Sequence, residues 1–510
     1  MRRPRLTPAL AIGLLSAVLA ATPVSAAPPT GSWAAIPSIY PSFSAAKGVP
    51  LGVVAGPDGR MYAYGPFTDA GGDPTADYLA VYDPATRDWN GLGSNGQGNG
   101  AFNGQVNGVA FLGSKVIVVG SFTDVAGITT VDYFAIWNGS SWSTRSATGV
   151  SPFASAVIGV DVEGSAIYVA GGFLNADGVA TADRVAKWDG AAWTGLVPDG
   201  ALDGSLDAQA VKIDARSDGK VWVGGLFTNA ATDTTASKIA YFDTATRTWH
   251  GVREAGQAGP AIANGFVYDF ELVGSRIYVA GLFADVSGNP AADNVAMWTG
   301  TAWTNMGTNA ANAGTGSGPI AQSASTYAVS LVPYGATMIV AGKFTDAGGN
   351  AAADCIAAWN GKSWLSLGQS NVTSGGVPLC GWGMVQGRVY TNAGAFLSVA
   401  GLADTAGIAQ FGLPGGPTAP LSLAGRSGTA SVSLSWAAPS NAGGSPLLDY
   451  VIQYRRVGAR SWVTLNDGMK TTRTATVTRL TRGATYEFRV QAVNQWAGGA
   501  FTTPIRKVAG

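Results

Sequence analysis

Residues 118–142 read Val118-Val119-Gly120-Ser121-Phe122-Thr123-Asp124-Val125-Ala126-Gly127-Ile128-Thr129-Thr130-Val131-Asp132-Tyr133-Phe134-Ala135-Ile136-Trp137-Asn138-Gly139-Ser140-Ser141-Trp142. The β-branched run before Gly120 is a strand, and Thr123 to Gly127 is a loop of turn formers. Tyr133 to Trp137 is a second strand, with Phe134 and Ile136 on one face and Ala135 and Trp137 on the other. Asn138-Gly139 is a tight hairpin turn into Trp142. Upstream, Val109 to Phe111 and the turn at Gly113-Ser114 add a further strand. The stretch is therefore a run of four short antiparallel strands.

The pattern recurs along the chain. Gly-x-Phe ends at Phe67, Phe122, Phe173, Phe227, Phe283, Phe344 and Phe396. Fifteen positions after each comes an aromatic residue: Tyr82, Trp137, Trp188, Phe242, Trp298, Trp359 and Phe411. Ala80, Ala135, Ala186, Ala240, Ala296, Ala357 and Ala409 precede these partners by two. Subtracting successive phenylalanine positions gives intervals of 55, 51, 54, 56, 61 and 52 residues. Such a period belongs to propellers and solenoids, and four strands per repeat favours a propeller blade.

Trp89, Trp142, Trp193, Trp249, Trp303 and Trp364 follow as fourth-strand residues, and Gly31-Ser32-Trp33 supplies the strand missing after Phe411. The expected fold class is all-β: a seven-bladed β-propeller closed by the N-terminal strand, with a C-terminal β-sandwich. Tyr82 to Trp89, Phe242 to Trp249 and the pair Gly171-Gly172 resemble kelch repeats. The resemblance, over residues 31–415, is to kelch and galactose-oxidase-type propellers, and its motifs speak for fold rather than function.

Arg2, Arg3 and Arg5 precede the apolar run Ala9 to Ala20, and Val24-Ser25-Ala26 is a small-residue cleavage site. Residues 1–26 therefore read as a secretory signal cleaved after Ala26, residues 27–412 as the propeller, 413–419 as a linker and 420–510 as the second module. The expected localisation is extracellular, with no transmembrane segment in the mature chain. Cys355 and Cys380 are permitted a bridge in that compartment, and the spacing leaves open whether they come within reach.

In the C-terminal module, Ser431 to Trp436 alternates strictly, as do Tyr450, Ile452 and Tyr454. Leu480, Gly483 and Tyr486 have the spacing of a tyrosine corner. With Trp436, these residues resemble a fibronectin type III domain, which implies an adhesion or spacer role. Charge divides between the two parts. Residues 417–510 hold eleven Arg and Lys against Asp449, Asp467 and Glu487, a net of +8. Without Arg2, Arg3 and Arg5, the rest holds 17 basic against 28 acidic residues, a net of −11. An acidic larger part argues against nucleic acid as a partner.

His250 is the single histidine, which excludes a galactose-oxidase-like copper site and histidine-dependent triads. Asp69, Asp124, Asp285 and Asp346, with Asp77, Asp132, Asp183, Asp293 and Asp354, recur in most repeats and read as turn residues. Asp69, Asp73 and Asp77 lack the spacing of an EF-hand calcium loop. Glu163, Glu254 and Glu271 are the glutamates available for carboxylate chemistry. No catalytic, cofactor-binding or metal-binding residue is assigned, and no cofactor is expected. The expected function is a secreted binding or scaffold protein recognising a glycan, cell-wall polymer or protein ligand. The alternative is an extracellular carbohydrate-active enzyme using carboxylates. The basic module is the expected attachment or spacer unit.

Overall fold

In this computed structural model the described residues are 32–35, 50–58, 60–83, 88–146, 149–231, 233–309, 318–320, 326–334, 337–367, 380–385, 388–393, 408–412, 417–440, 447–465, 467–468, 470–494 and 498–510. Side chains of 32–35, 334, 380–385, 388–393, 408–412, 448, 494 and 498 are outside the description. Residues 1–26, the expected secretory signal, and Phe396 lie outside the described residues.

Each of the first six repeats forms one four-stranded antiparallel sheet in meander order, and a seventh sheet combines Cys380–Val385, Arg388–Ala393 and Ile408–Gly412 with the N-terminal Ser32–Ala35. In the second, Val106–Leu112, Lys115–Gly120, Phe134–Trp137 and Trp142–Ser143 pair in sequence. Val116 faces Trp137, which in turn faces Trp142. The Gly of Gly-x-Phe is required by close approach: a Cβ on Gly120 would meet the Gln105 carbonyl oxygen at 2.3 Å. Ahead of the third strand, Tyr133 is left-handed at φ 61°, a rare state for a bulky side chain. Two backbone bonds hold it there, Tyr133 N–H to the Phe122 carbonyl at 2.9 Å and Gly120 N–H to the Tyr133 carbonyl at 3.0 Å. Tyr78, Arg184, Lys238, Asn294 and Cys355 repeat this geometry.

The repeated residues make the core. Phe67, Phe122, Phe173, Phe227, Phe283 and Phe344 are fully buried, and so are the six described alanines of the third strands. The partner aromatics stand opposite the fourth-strand tryptophans, as with Trp188 and Trp193 at 5.6 Å between ring centroids. Each indole N–H of Trp142, Trp193, Trp249 and Trp303 donates to a backbone carbonyl of the preceding repeat: Leu92, Arg145, Leu196 and Val252, at 2.8–2.9 Å. Neighbouring sheets also share apolar clusters. Leu79 and Val81 pack with Val106, Val116 and Val118, while Ile117, Val119 and Phe134 pack with Val157, Val169 and Phe173.

The sheet layout corrects the expected fold class. Instead of a closed seven-bladed propeller of kelch type, the finding is multiple separate four-stranded antiparallel sheets followed by a fibronectin-like sandwich. Hydrogen-bonded pairing ends inside each sheet, and among the described residues no strand pair links one repeat sheet to the next. The propeller and kelch-like descriptions are accordingly set aside. The physical reason is that a sequence period defines a unit whose ladder is complete within four strands. It is silent on how units are arranged, which side-chain packing decides. Ser32–Ala35 pairs antiparallel with Ile408–Gly412, placing Trp33 opposite Phe411. Gly52–Ala55 of the first sheet approaches Cys380–Val385. Cys355 is disulfide-bonded, and Cys380 is the only other cysteine in the chain.

The C-terminal module has two sheets. Leu421–Gly428, Ser431–Ala437 and Thr474–Val477 form one; Leu447–Arg456, Val463–Thr464, Thr485–Asn494, Gly498–Phe501 and Ile505–Val508 form the other. Val432, Leu434 and Trp436 from the first meet Tyr450, Ile452, Phe488 and Val490 from the second. Thr481 N–H donates to the Tyr486 hydroxyl oxygen at 3.1 Å, which fastens the loop entering that strand.

Candidate functional site

The recurrent aspartates serve the loops. In the second repeat the Asp132 carboxylate accepts the Asp124 N–H at 2.7 Å, with Asp124 left-handed at φ 50°. Asp77, Asp293 and Asp354 accept from Asp69, Asp285 and Asp346 at 2.8, 3.0 and 2.9 Å. Asp73 accepts from Thr75 and Gly91. Glu254 accepts the Trp303 N–H at 3.1 Å. His250 lies in the strand Thr248–Gly251, stacked on Tyr241 at 4.9 Å. Among the described residues no group of three or more His, Cys, Asp or Glu is placed to hold a metal. No described helix is long and apolar enough to cross a membrane.

Two kinds of loop meet at one edge of the sheets. The loop after a fourth strand bonds to the loop after the next sheet's second strand. Examples are Thr123 N–H to Asn103 Oδ1 at 2.9 Å, Asp177 N–H to the Pro152 carbonyl at 2.7 Å and Thr228 N–H to Asp207 Oδ1 at 2.7 Å. On successive loops of this edge stand the exposed apolar side chains Ile128, Val150, Leu174, Leu202 and Leu226, with Leu202 90% exposed. Asp177, Asp199, Asp203 and Asp207 lie on the same loops. Nearby Lys238 turns its ammonium onto the Leu226 carbonyl at 2.8 Å, and the Arg184 guanidinium donates to the Gly172 carbonyl. The surface is thus apolar with carboxylates. No periodicity in the sequence marks it, because these positions are the ones that vary between repeats.

A second cluster sits on the first strands. Lys212 of the fourth sheet reaches Asp269 at 2.9 Å and Glu271 at 3.6 Å, both on the fifth. Asp269 also accepts the Leu331 N–H of the sixth sheet at 2.8 Å, and Asp161 of the third accepts the Ala215 N–H at 2.7 Å. Carboxylates therefore fasten consecutive sheets. Burial pushes the Glu271 carboxyl up to about 7, with Asp269 and Asp214 adding to the rise and Lys212 opposing it. Burial disfavours the Lys212 ammonium, yet Asp269 and Glu271 outweigh it and hold the amine above its usual range. The sequence held a faint signal here, polar residues within apolar first strands, but could not pair residues from different sheets.

On the module, a row crosses the outer face of the larger sheet. The guanidinium carbons of Arg455 and Arg489 lie 4.4 and 4.2 Å from the Trp462 ring centroid, and Arg489 also lies 4.1 Å from that of Phe501. Arg455 and Arg506 both bond Glu487, at 2.7 and 2.9 Å. These two donors hold the Glu487 carboxyl below its ordinary value.

The family model of the fibronectin type III domain matches residues 416–508. Residues 416–508 are a fibronectin type III domain. The kelch and galactose-oxidase resemblance of the rest gains no such support. Myomesin-2 of Homo sapiens is 39% identical over 64 residues, 12% of this chain and 4% of that protein. The striated-muscle M-protein of Gallus gallus is 41% identical over 64 residues, with the same coverage of 12% and 4%. The chain thus spans about one twenty-fifth of the length of these curated relatives. Among solved structures, the twitchin kinase region from C. elegans is 26% identical with TM-score 0.18, covering 19% of this chain and 17% of that one. The titin kinase with its flanking domains is 25% identical with TM-score 0.17, covering 18% and 17%.

Proposed function

We propose that this chain is a non-catalytic binding protein. Its sheet array presents the loop edge to a protein ligand, and its fibronectin type III domain acts as spacer or attachment unit. The observation that carries the reading is the series of exposed apolar residues Val150, Leu174, Leu202 and Leu226 on consecutive loops. Exposed apolar surface rimmed by polar residues marks interaction sites, and variable loops on a rigid scaffold are where recognition concentrates. The fibronectin match and the myomesin and M-protein similarities support the scaffold half of the reading, and they name no ligand. Residues 1–26 support export of the chain.

The test is a binding screen of the purified full chain against extracellular proteins, repeated with Leu174→Asp and Leu202→Asp. A ligand that loses affinity in both variants, with their melting temperature unchanged, supports the loop edge. A ligand indifferent to both sinks it. The carbohydrate-active reading retains one favouring observation, the Glu271 carboxyl near neutrality beside Asp269. Polysaccharide turnover abolished by Glu271→Gln would replace the binding reading.

A further inference from the structure

The Trp462 row has two halves that are satisfied differently. In one, Glu487 takes Arg455 through Nε at 2.8 Å and Arg506 through Nε and Nη2 at 3.0 and 2.9 Å. One carboxylate thus serves two guanidiniums. In the other, Arg489 donates Nε and Nη2 to the neutral Gln453 Oε1 at 3.0 and 2.7 Å. Among the described residues no carboxylate pairs with it. Trp462 and Phe501 fix its plane by stacking, which orients the fork without neutralising it. Burial, with the like charge of Arg455 stacked on the same indole, depresses the Arg489 pKa.

Arg489, held against the ring beside an Arg455 already paired with Glu487 and itself without a carboxylate among the described residues, forms an incomplete anion site. The row itself shows what completes it, since Arg455 and Arg506 each donate two N–H groups to one oxygen of the Glu487 carboxylate. The face is the flat outer surface of a sheet rather than a pocket, and it suits an extended polymer more than a small molecule. The module's net charge of +8 complements a polyanion and raises its local concentration.

We propose that the outer face of the fibronectin type III domain, centred on Arg489, Trp462 and Arg455, binds a carboxylate-bearing linear polysaccharide. This rests on the attachment role given to the module above and is independent of the loop edge. Arg489 takes a carboxylate of the polymer directly, Trp462 holds its plane, and Arg455, already paired with Glu487, adds positive charge beside it.

The experiment is titration of the full chain with polygalacturonate at low and high salt, using two charge-matched variants. Arg455→Gln/Arg489→Gln removes the row, and Arg479→Gln/Arg482→Gln removes the same charge elsewhere on the module. The expected result is low-salt binding that weakens as salt screens it. The row variant should lose about tenfold or more in affinity, and the control about twofold or less. A third variant, Arg506→Gln, guards against loss of fold: it leaves Arg489 and Trp462 intact and should lie between the other two. No low-salt binding, or equal losses in the two double variants, would overturn the proposal. So would equal affinity for inorganic polyphosphate or single-stranded DNA, which would assign the face to phosphate. If polygalacturonate binding survives Leu202→Asp while the protein ligand is lost, the two readings stand or fall separately.

Discussion

The two parts of this chain bury aromatic residues to opposite ends. In the repeat array, Trp142, Trp193, Trp249 and Trp303 point their indole N–H groups into the preceding repeat, so the aromatic bonds stitch one unit to another. In the fibronectin type III domain, the Tyr486 hydroxyl closes a loop of its own unit, and Trp436 packs on Tyr450 at 5.4 Å. The array is also acidic and fastened by carboxylates, whereas the module is basic and fastened by one carboxylate among arginines. A repeated unit gains its core from neighbours and a single domain must supply its own.

That difference predicts where damage spreads. Phe122→Ala empties a fully buried site and should cost roughly 3–5 kcal/mol through lost burial and cavity formation. Denaturant unfolding should show the loss in the array transition while the module's transition stays in place. Coincident loss in both would break the comparison.

Removing the disulfide comes next. Cys355→Ser should destabilise the array by about 2–4 kcal/mol, since a bridge constrains the unfolded chain. Differential calorimetry with and without reductant reads the shift, and the reductant should leave the cysteine-free module unmoved.

Trp193→Phe keeps the ring's bulk and removes the N–H that the Arg145 carbonyl accepts at 2.8 Å. Leaving that carbonyl without its donor should cost about 1–3 kcal/mol. Hydrogen exchange should report it in the second and third repeats together, and an effect confined to the third would refute stitching between units.

The smallest effect is a pH dependence at Glu271. Its pKa in the folded chain, about 7, is above the ordinary 4.5, so protonation is favoured by folding. The stabilisation is complete below about pH 4.5 and is lost as pH rises through 7. Wild type should therefore lose about 1–2 kcal/mol between pH 5 and 8 relative to Glu271→Gln. The figure is reduced because the side chain is 27% exposed. Parallel pH profiles of the two proteins would exclude the burial account.

Local chemistry was legible in the sequence. The turn at Asn138-Gly139, the alternation Phe134 to Trp137 and the recurrence of Gly-x-Phe with an aromatic fifteen residues later state the strands, their faces and the repeat. Leu480, Gly483 and Tyr486 state the sandwich. These signals survive in one dimension because strand alternation, turn geometry and the tyrosine corner act within a few residues. The N-terminal strand's place beside Phe411 was legible in Gly31-Ser32-Trp33, whereas the single propeller was corrected by the layout of separate sheets, because a period carries no information about contacts between units. Lys212 meeting Asp269 and Glu271, Arg489 stacking on Trp462, and the loop after a fourth strand bonding to the loop after the next sheet's second strand were equally out of reach. Each joins residues that the chain separates by tens of positions, and their placement is decided by packing rather than by any local rule.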